Sequence, residues 1–95
     1  MFVLLLTYVK PLDEVDALMR DHMAWLDEHY DAGRFLVSGR QIPRTGGVIV
    51  AHGDDREEME AIAASDPFVT GGVATCAVIQ FRASQRADRI AGRSG

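Results

Sequence analysis

The sequence predicts an α+β domain of ferredoxin-like type, β-α-β-β-α-β, with an antiparallel four-stranded sheet and two helices on one face. Three observations lead to this class. Residues 2–9 are apolar at nearly every position and 75–82 are again rich in β-capable residues. Two segments, opening at Asp13 and Asp55, repeat apolar residues at the three-then-four spacing of one helical face. The glycines and prolines cluster between these segments, where they punctuate rather than interrupt.

The first element, Phe2 to Val9, carries apolar side chains on both of its alternating faces and reads as a central strand. After Lys10-Pro11-Leu12, Asp13 is expected to cap a helix running to about Ala32, with Glu14 and Asp16 in its first turn and Gly33 ending it. Phe35 to Gly39 forms a short strand. A loop with Arg40, Pro43, Arg44, Gly46 and Gly47 joins it as a hairpin to Val48 to His52. Asp55 and Glu58 match a capping pattern for the second helix, which Pro67 must end because the residue before proline avoids helical geometry. Phe68 to Gly72 makes a turn and Thr75 to Arg82 the last strand. Two helices cover one sheet face only, yet the first strand is apolar on both sides and the last offers Cys76 and Val78 as well as Ala77, Ile79 and Phe81, so the second face calls for a partner, expected to be a second copy packed sheet to sheet.

Ninety-five residues make one domain, placed at 1–82, followed by a flexible basic tail at 83–95 with Arg86, Arg89 and Arg93 against Asp88. At 47% hydrophobic and 25% charged the composition is that of a globular chain rather than a disordered or fibrous one. A net charge of −4 argues against nucleic acid as a partner, since phosphate contact needs a concentrated basic surface. The run Met1 to Val9 is too short to span a membrane and lacks a basic leader and a cleavage site, so no membrane partner and a cytoplasmic location are expected. Cys76 is the single cysteine, allows no internal disulfide, and reads as a buried, unreactive thiol.

Two titratable residues fall on the apolar stripes. The first helix reads Val15, Leu18, Met19, His22, Leu26, and the second Met59, Ile62, Ala63, Asp66, with Asp66 at its last turn or just beyond. A charge there is costly unless paired or used, and both helices cover one sheet, so imidazole and carboxylate can meet. The plainer readings are a core histidine bound to a backbone carbonyl, and an aspartate before proline holding local backbone N–H groups. Both aspartate roles can coexist, one oxygen serving the turn and the other His22.

The chain resembles the YCII-related family, through Arg20-Asp21-His22-Met23-Ala24-Trp25-Leu26, Gly33-Arg34-Phe35-Leu36-Val37-Ser38-Gly39 and Asp66-Pro67-Phe68-Val69-Thr70-Gly71-Gly72. The resemblance spans about residues 1–82. It implies a dimeric α+β barrel and an active site of histidine and aspartate matching His22 and Asp66, and some members resemble dehydrochlorinases of chlorinated aromatic compounds. The chain departs from the family pattern at Arg40, which follows Gly39 where a proline is expected.

A histidine's ordinary pKa near 6.5 lets it take and return a proton around neutrality, and a carboxylate on its other nitrogen fixes the tautomer. His22 and Asp66 are therefore the catalytic candidates. Arg40 and Arg44 are candidates for gripping a substrate carboxylate or phenolate, solubility being their plainer role. Trp25 and Phe68 are candidates for lining the pocket, core packing being theirs. His22 and His29 stand roughly 10 Å apart along the helix axis, too far for one ion, so no metal site is expected. Gly46-Gly47 lacks a phosphate-loop context, and no cofactor is expected. The favoured function is a small cofactor-independent enzyme that moves a proton on an unsaturated organic acid or aromatic-derived metabolite, by elimination, dehydrochlorination or isomerisation. The alternative is a non-catalytic dimeric module that binds a small-molecule ligand or interacts with a partner.

Overall fold

The computed structural model describes residues 1–87; Arg89 and Arg93 of the expected tail lie outside them. Its sheet runs in the order β2-β3-β1-β4. β1 (Phe2–Tyr8) lies inside, antiparallel to β3 (Gly46–Ala51) on one side and to β4 (Ala74–Gln80) on the other. β2 (Phe35–Arg40) completes the hairpin with β3. The ferredoxin-like α+β class read from the sequence is thus the class of the structure.

Alternation along β1 sorts the core. Phe2, Leu4 and Leu6 are buried on the helix side and stand opposite Ala51, Ile49 and Gly47 of β3. Val3 and Leu5 point the other way, with Val48, Val50, Ala77 and Ile79, and are covered only in part. The expectation that β1 is buried on both faces therefore holds for one face within a single chain.

The first helix is two helices. α1 (Leu12–Ala17) and α2 (Met19–Asp31) meet at Leu18, whose φ of −104° and ψ of 5° bend the chain. Asp13 is not its cap: Pro11 takes that position and Asp13 lies in the first turn, where its charge complements the helix dipole. Gly33, at φ 77°, ends the segment after α2 as its freedom in the left-handed region allows. α3 (Arg56–Ala64) starts as expected, with the Asp55 carboxylate accepting from the Glu58 N–H at 3.1 Å. The expected turn after it is a short helix, α4 (Pro67–Thr70).

β2 carries a bulge between Phe35 and Val37. Phe35 faces the helices and is buried; simple alternation would send Ser38 and Arg40 to the opposite face. The extra residue, Leu36, shifts the count by one, so Ser38 lies opposite Ile49 and Arg40 opposite Gly47, both on the helix side. That shift brings two polar side chains under α2.

Candidate active site

α2 turns His22 inward on the stripe that also buries Trp25, Leu26 and His29. The opposing carboxylate is fixed by a helix start. Proline cannot donate a backbone hydrogen bond, so α3 stops at Ala64 and Asp66, in extended geometry at φ −60° and ψ 128°, caps α4 with Pro67 at its first position. Its carbonyl accepts from the N–H groups of Val69 and Thr70 at 2.8 and 2.9 Å. Its Oδ1 accepts from the Phe68 N–H at 2.9 Å.

The same Oδ1 lies 2.8 Å from His22 Nδ1. One oxygen therefore serves both the turn and the histidine, where the sequence suggested a division between the two; Oδ2 is buried without a partner among the described residues. A carboxylate oxygen only accepts, so toward it Nδ1 is the donor, and Nε2 has no hydrogen bond among the described residues. The Phe68 ring stacks flat on the imidazole, with centroids 3.9 Å apart and planes 8° from parallel, and Tyr8 meets Phe68 edge-on at 6.0 Å.

His22 and Phe68 form one wall of a hollow of about 240 Å³. Ser38 and Arg40 of β2 also line it, together with Tyr8, Met19 and Met23. This size is below the roughly 300–1,000 Å³ of sites for drug-sized ligands and suits a single small ring or short acid. Gly47 contributes no side chain to its floor.

Of the six candidate residues, His22, Asp66, Phe68 and Arg40 are brought together. Arg44 and Trp25 are not among the lining residues. Arg44 instead binds Asp16 at 2.5 Å and lies 5.8 Å from the centre of the Tyr8 ring, and its guanidinium holds the Asp16 carboxyl below the usual range. Trp25 donates to Ser65 Oγ at 2.9 Å and so fastens α2 to the corner that carries Asp66. No sequence motif marks Ser38 or Tyr8 as a lining residue; Tyr8 is signalled only by its place at the end of a central strand, and Ser38 turns inward only through the bulge.

Cys76, expected to be buried, is only half-buried on β4; burial, with the Asp66 charge adding to it, pushes its thiol up to about 11, which disfavours the thiolate. Burial also lowers the pKa of His29, whose Nδ1 is 3.2 Å from Arg34 Nη1 and therefore accepts as a neutral ring. Among the described residues no three His, Cys, Asp or Glu side chains are grouped to hold a metal ion, and no helix is long and apolar enough to cross a membrane.

The protein is thus an α+β domain of ferredoxin-like fold with a buried histidine–carboxylate contact beside a small hollow. Residues 1–82 match the model of the YCII-related domain, and the chain belongs to that family, as the three quoted segments indicated. No curated protein matches the sequence. Among solved structures, the chain is similar to 5-chloro-2-hydroxyhydroquinone dehydrochlorinase (TftG) from Burkholderia phenoliruptrix AC1100, in complex with 2,5-dihydroxybenzoquinone. The TM-score is 0.71 and the identity 18%, over 86% of this chain and 94% of that one. At that identity the likeness is one of fold.

Proposed function

We propose that the protein is a proton-transfer enzyme of the lyase or isomerase type, acting on a small unsaturated organic acid or aromatic-derived metabolite. The observation that carries this reading is the 2.8 Å contact between His22 Nδ1 and Asp66 Oδ1, which leaves Nε2 as the basic nitrogen of a residue lining the hollow. Nε2 takes a proton from a carbon made acidic by a neighbouring carbonyl, and Asp66 stabilises the imidazolium that forms. The electron pair of the broken C–H bond moves toward the carbonyl oxygen, where the Arg40 guanidinium offsets the charge. In an elimination the pair then forms a double bond as chloride leaves with the C–Cl electrons. In an isomerisation the imidazolium returns its proton to another carbon. The dehydrochlorinase activity in the name of the fold neighbour agrees with the first course.

The apolar face formed by Val3, Leu5, Val50 and Ile79, with Val37 58% exposed, supports a homodimer closed sheet to sheet. Exchange of ring or α-carbon protons for deuterium, followed by NMR over a panel of hydroxyquinones and unsaturated acids, tests the chemistry. Exchange that depends on enzyme and falls about 10²- to 10⁴-fold in His22→Gln is expected. Full exchange or turnover in His22→Gln removes the mechanism.

A further inference from the structure

Ser38 is half-buried on the helix side of β2, opposite the buried Ile49. Its hydroxyl has an exposed partner outside the hollow, the Tyr30 hydroxyl, 2.6 Å from Ser38 Oγ. Tyr30 sits near the end of α2 with its ring edge-on to Phe35 at 6.0 Å, and it is not among the residues lining the hollow. At 2.6 Å the two oxygens lie within the range of an O–H···O hydrogen bond.

Either hydroxyl can donate in this contact; a phenol O–H is the stronger donor of the two, and we take Tyr30 as donor and Ser38 Oγ as acceptor. Ser38 then keeps its own proton for a second acceptor, and donation from Tyr30 polarises that O–H and strengthens what it gives. Among the described residues the Ser38 side chain makes no hydrogen bond other than the one to Tyr30. Ser38 and Arg40 are two apart on the strand and share its inner face, with Gly47 opposite Arg40 leaving that floor open.

We infer that Ser38 donates a hydrogen bond to a carbonyl or enolate oxygen of the bound ligand beside Arg40, and that Tyr30 is a positioning residue acting through Ser38. The inference rests on the reading of the hollow as the ligand site. It adds a neutral, directional donor to the charge of Arg40, and it selects ligands with an oxygen on the β2 side of the ring over those with a bare apolar edge.

The experiment uses 2,5-dihydroxybenzoquinone as probe, titrated into the full chain and into Ser38→Ala, Ser38→Thr, Tyr30→Phe and Ser38→Ala/Tyr30→Phe, with unfolding midpoints measured alongside. Ser38→Ala is expected to weaken binding about 3- to 10-fold and Tyr30→Phe about 2- to 5-fold, while Tyr30→Phe adds nothing once Ser38 is alanine. The visible band of the bound quinone, which follows the charge on its oxygens, moves toward its position in water in both single variants and is restored in Ser38→Thr. Unchanged affinity in Ser38→Ala overturns the inference, as does a Tyr30→Phe effect that persists in the alanine background. Failure of the wild-type chain to bind the probe overturns the site and this inference with it. Binding with intact Ser38 effects but undiminished proton exchange in His22→Gln overturns the catalytic reading alone.

Discussion

Nδ1 of His22 and Oδ1 of Asp66 lie 2.8 Å apart although 44 residues separate them in the chain, and the same carboxylate oxygen caps the helix that begins at Pro67. In the proposed mechanism the orientation of the histidine and the local folding thus share one atom, so the two must be separated by choice of substitution. Asp66→Ala leaves the Phe68 N–H and the His22 Nδ1–H without their acceptor and is expected to cost about 2–5 kcal/mol in urea unfolding. Asp66→Asn can still accept from Phe68 and is expected to lose much less stability. Its proton-exchange activity is expected to fall at least tenfold, because a neutral amide no longer stabilises the imidazolium.

The two arginines of the β2–β3 region are expected to differ. Arg40 lines the hollow, whereas Arg44 is occupied by Asp16. Arg40→Gln is expected to weaken binding of an acidic hydroxyquinone by about 10- to 100-fold in calorimetry, the scale of a lost charged hydrogen bond, and Arg44→Gln by less than about 2-fold.

Adjacent glycines give opposite outcomes. A Cβ at residue 46 would collide with the Leu6 carbonyl across the β1–β3 ladder, so Gly46→Ala forces the strands apart and is expected to destabilise by about 1–3 kcal/mol. A Cβ at residue 47 meets its nearest atoms, Gly39 O and Leu6 Cδ1, at 3.4 and 3.5 Å. Gly47→Ala is expected to keep its unfolding midpoint while binding small ring compounds more weakly, because the methyl group occupies the floor of the hollow.

Stability should rise with pH through the range in which His29 titrates. Burial holds its pKa below the ordinary value, against the opposing charge of Glu28 and with that of Arg34. The unfolded chain therefore takes up this proton first as pH falls. The contribution is complete above about pH 6.5 and is lost on acidification toward the lower folded value. Urea midpoints at pH 7.5 and 5 should differ less in His29→Gln than in the wild-type chain.

Charge on the open sheet face should dissolve the proposed dimer. Ile79 is 45% exposed in the single chain, so Ile79→Glu is tolerated by the fold, and sedimentation is expected to give a monomer where the wild-type chain gives a dimer.

The sequence by itself determined the order of the four strands and the position of the helical segments between them, the Asp55 cap, the helix stop ahead of Pro67 and the membership signalled by its three segments, but not the bend at Leu18 or the short α4. These depend on local propensity and on periodicity, which neighbouring residues carry between them. It also marked His22 and Asp66, because an ionisable group on an apolar stripe stands out without coordinates. Only the tertiary structure decided that one Asp66 oxygen serves two donors, that Arg44 turns to Asp16 and Trp25 to Ser65, and that a bulge at Leu36 brings Ser38 and Arg40 beneath the histidine helix. A bulge adds one residue to one strand in answer to its partner's register, and strand alternation has a period of two. A single pairing choice across the sheet therefore exchanges every inward side chain for an outward one.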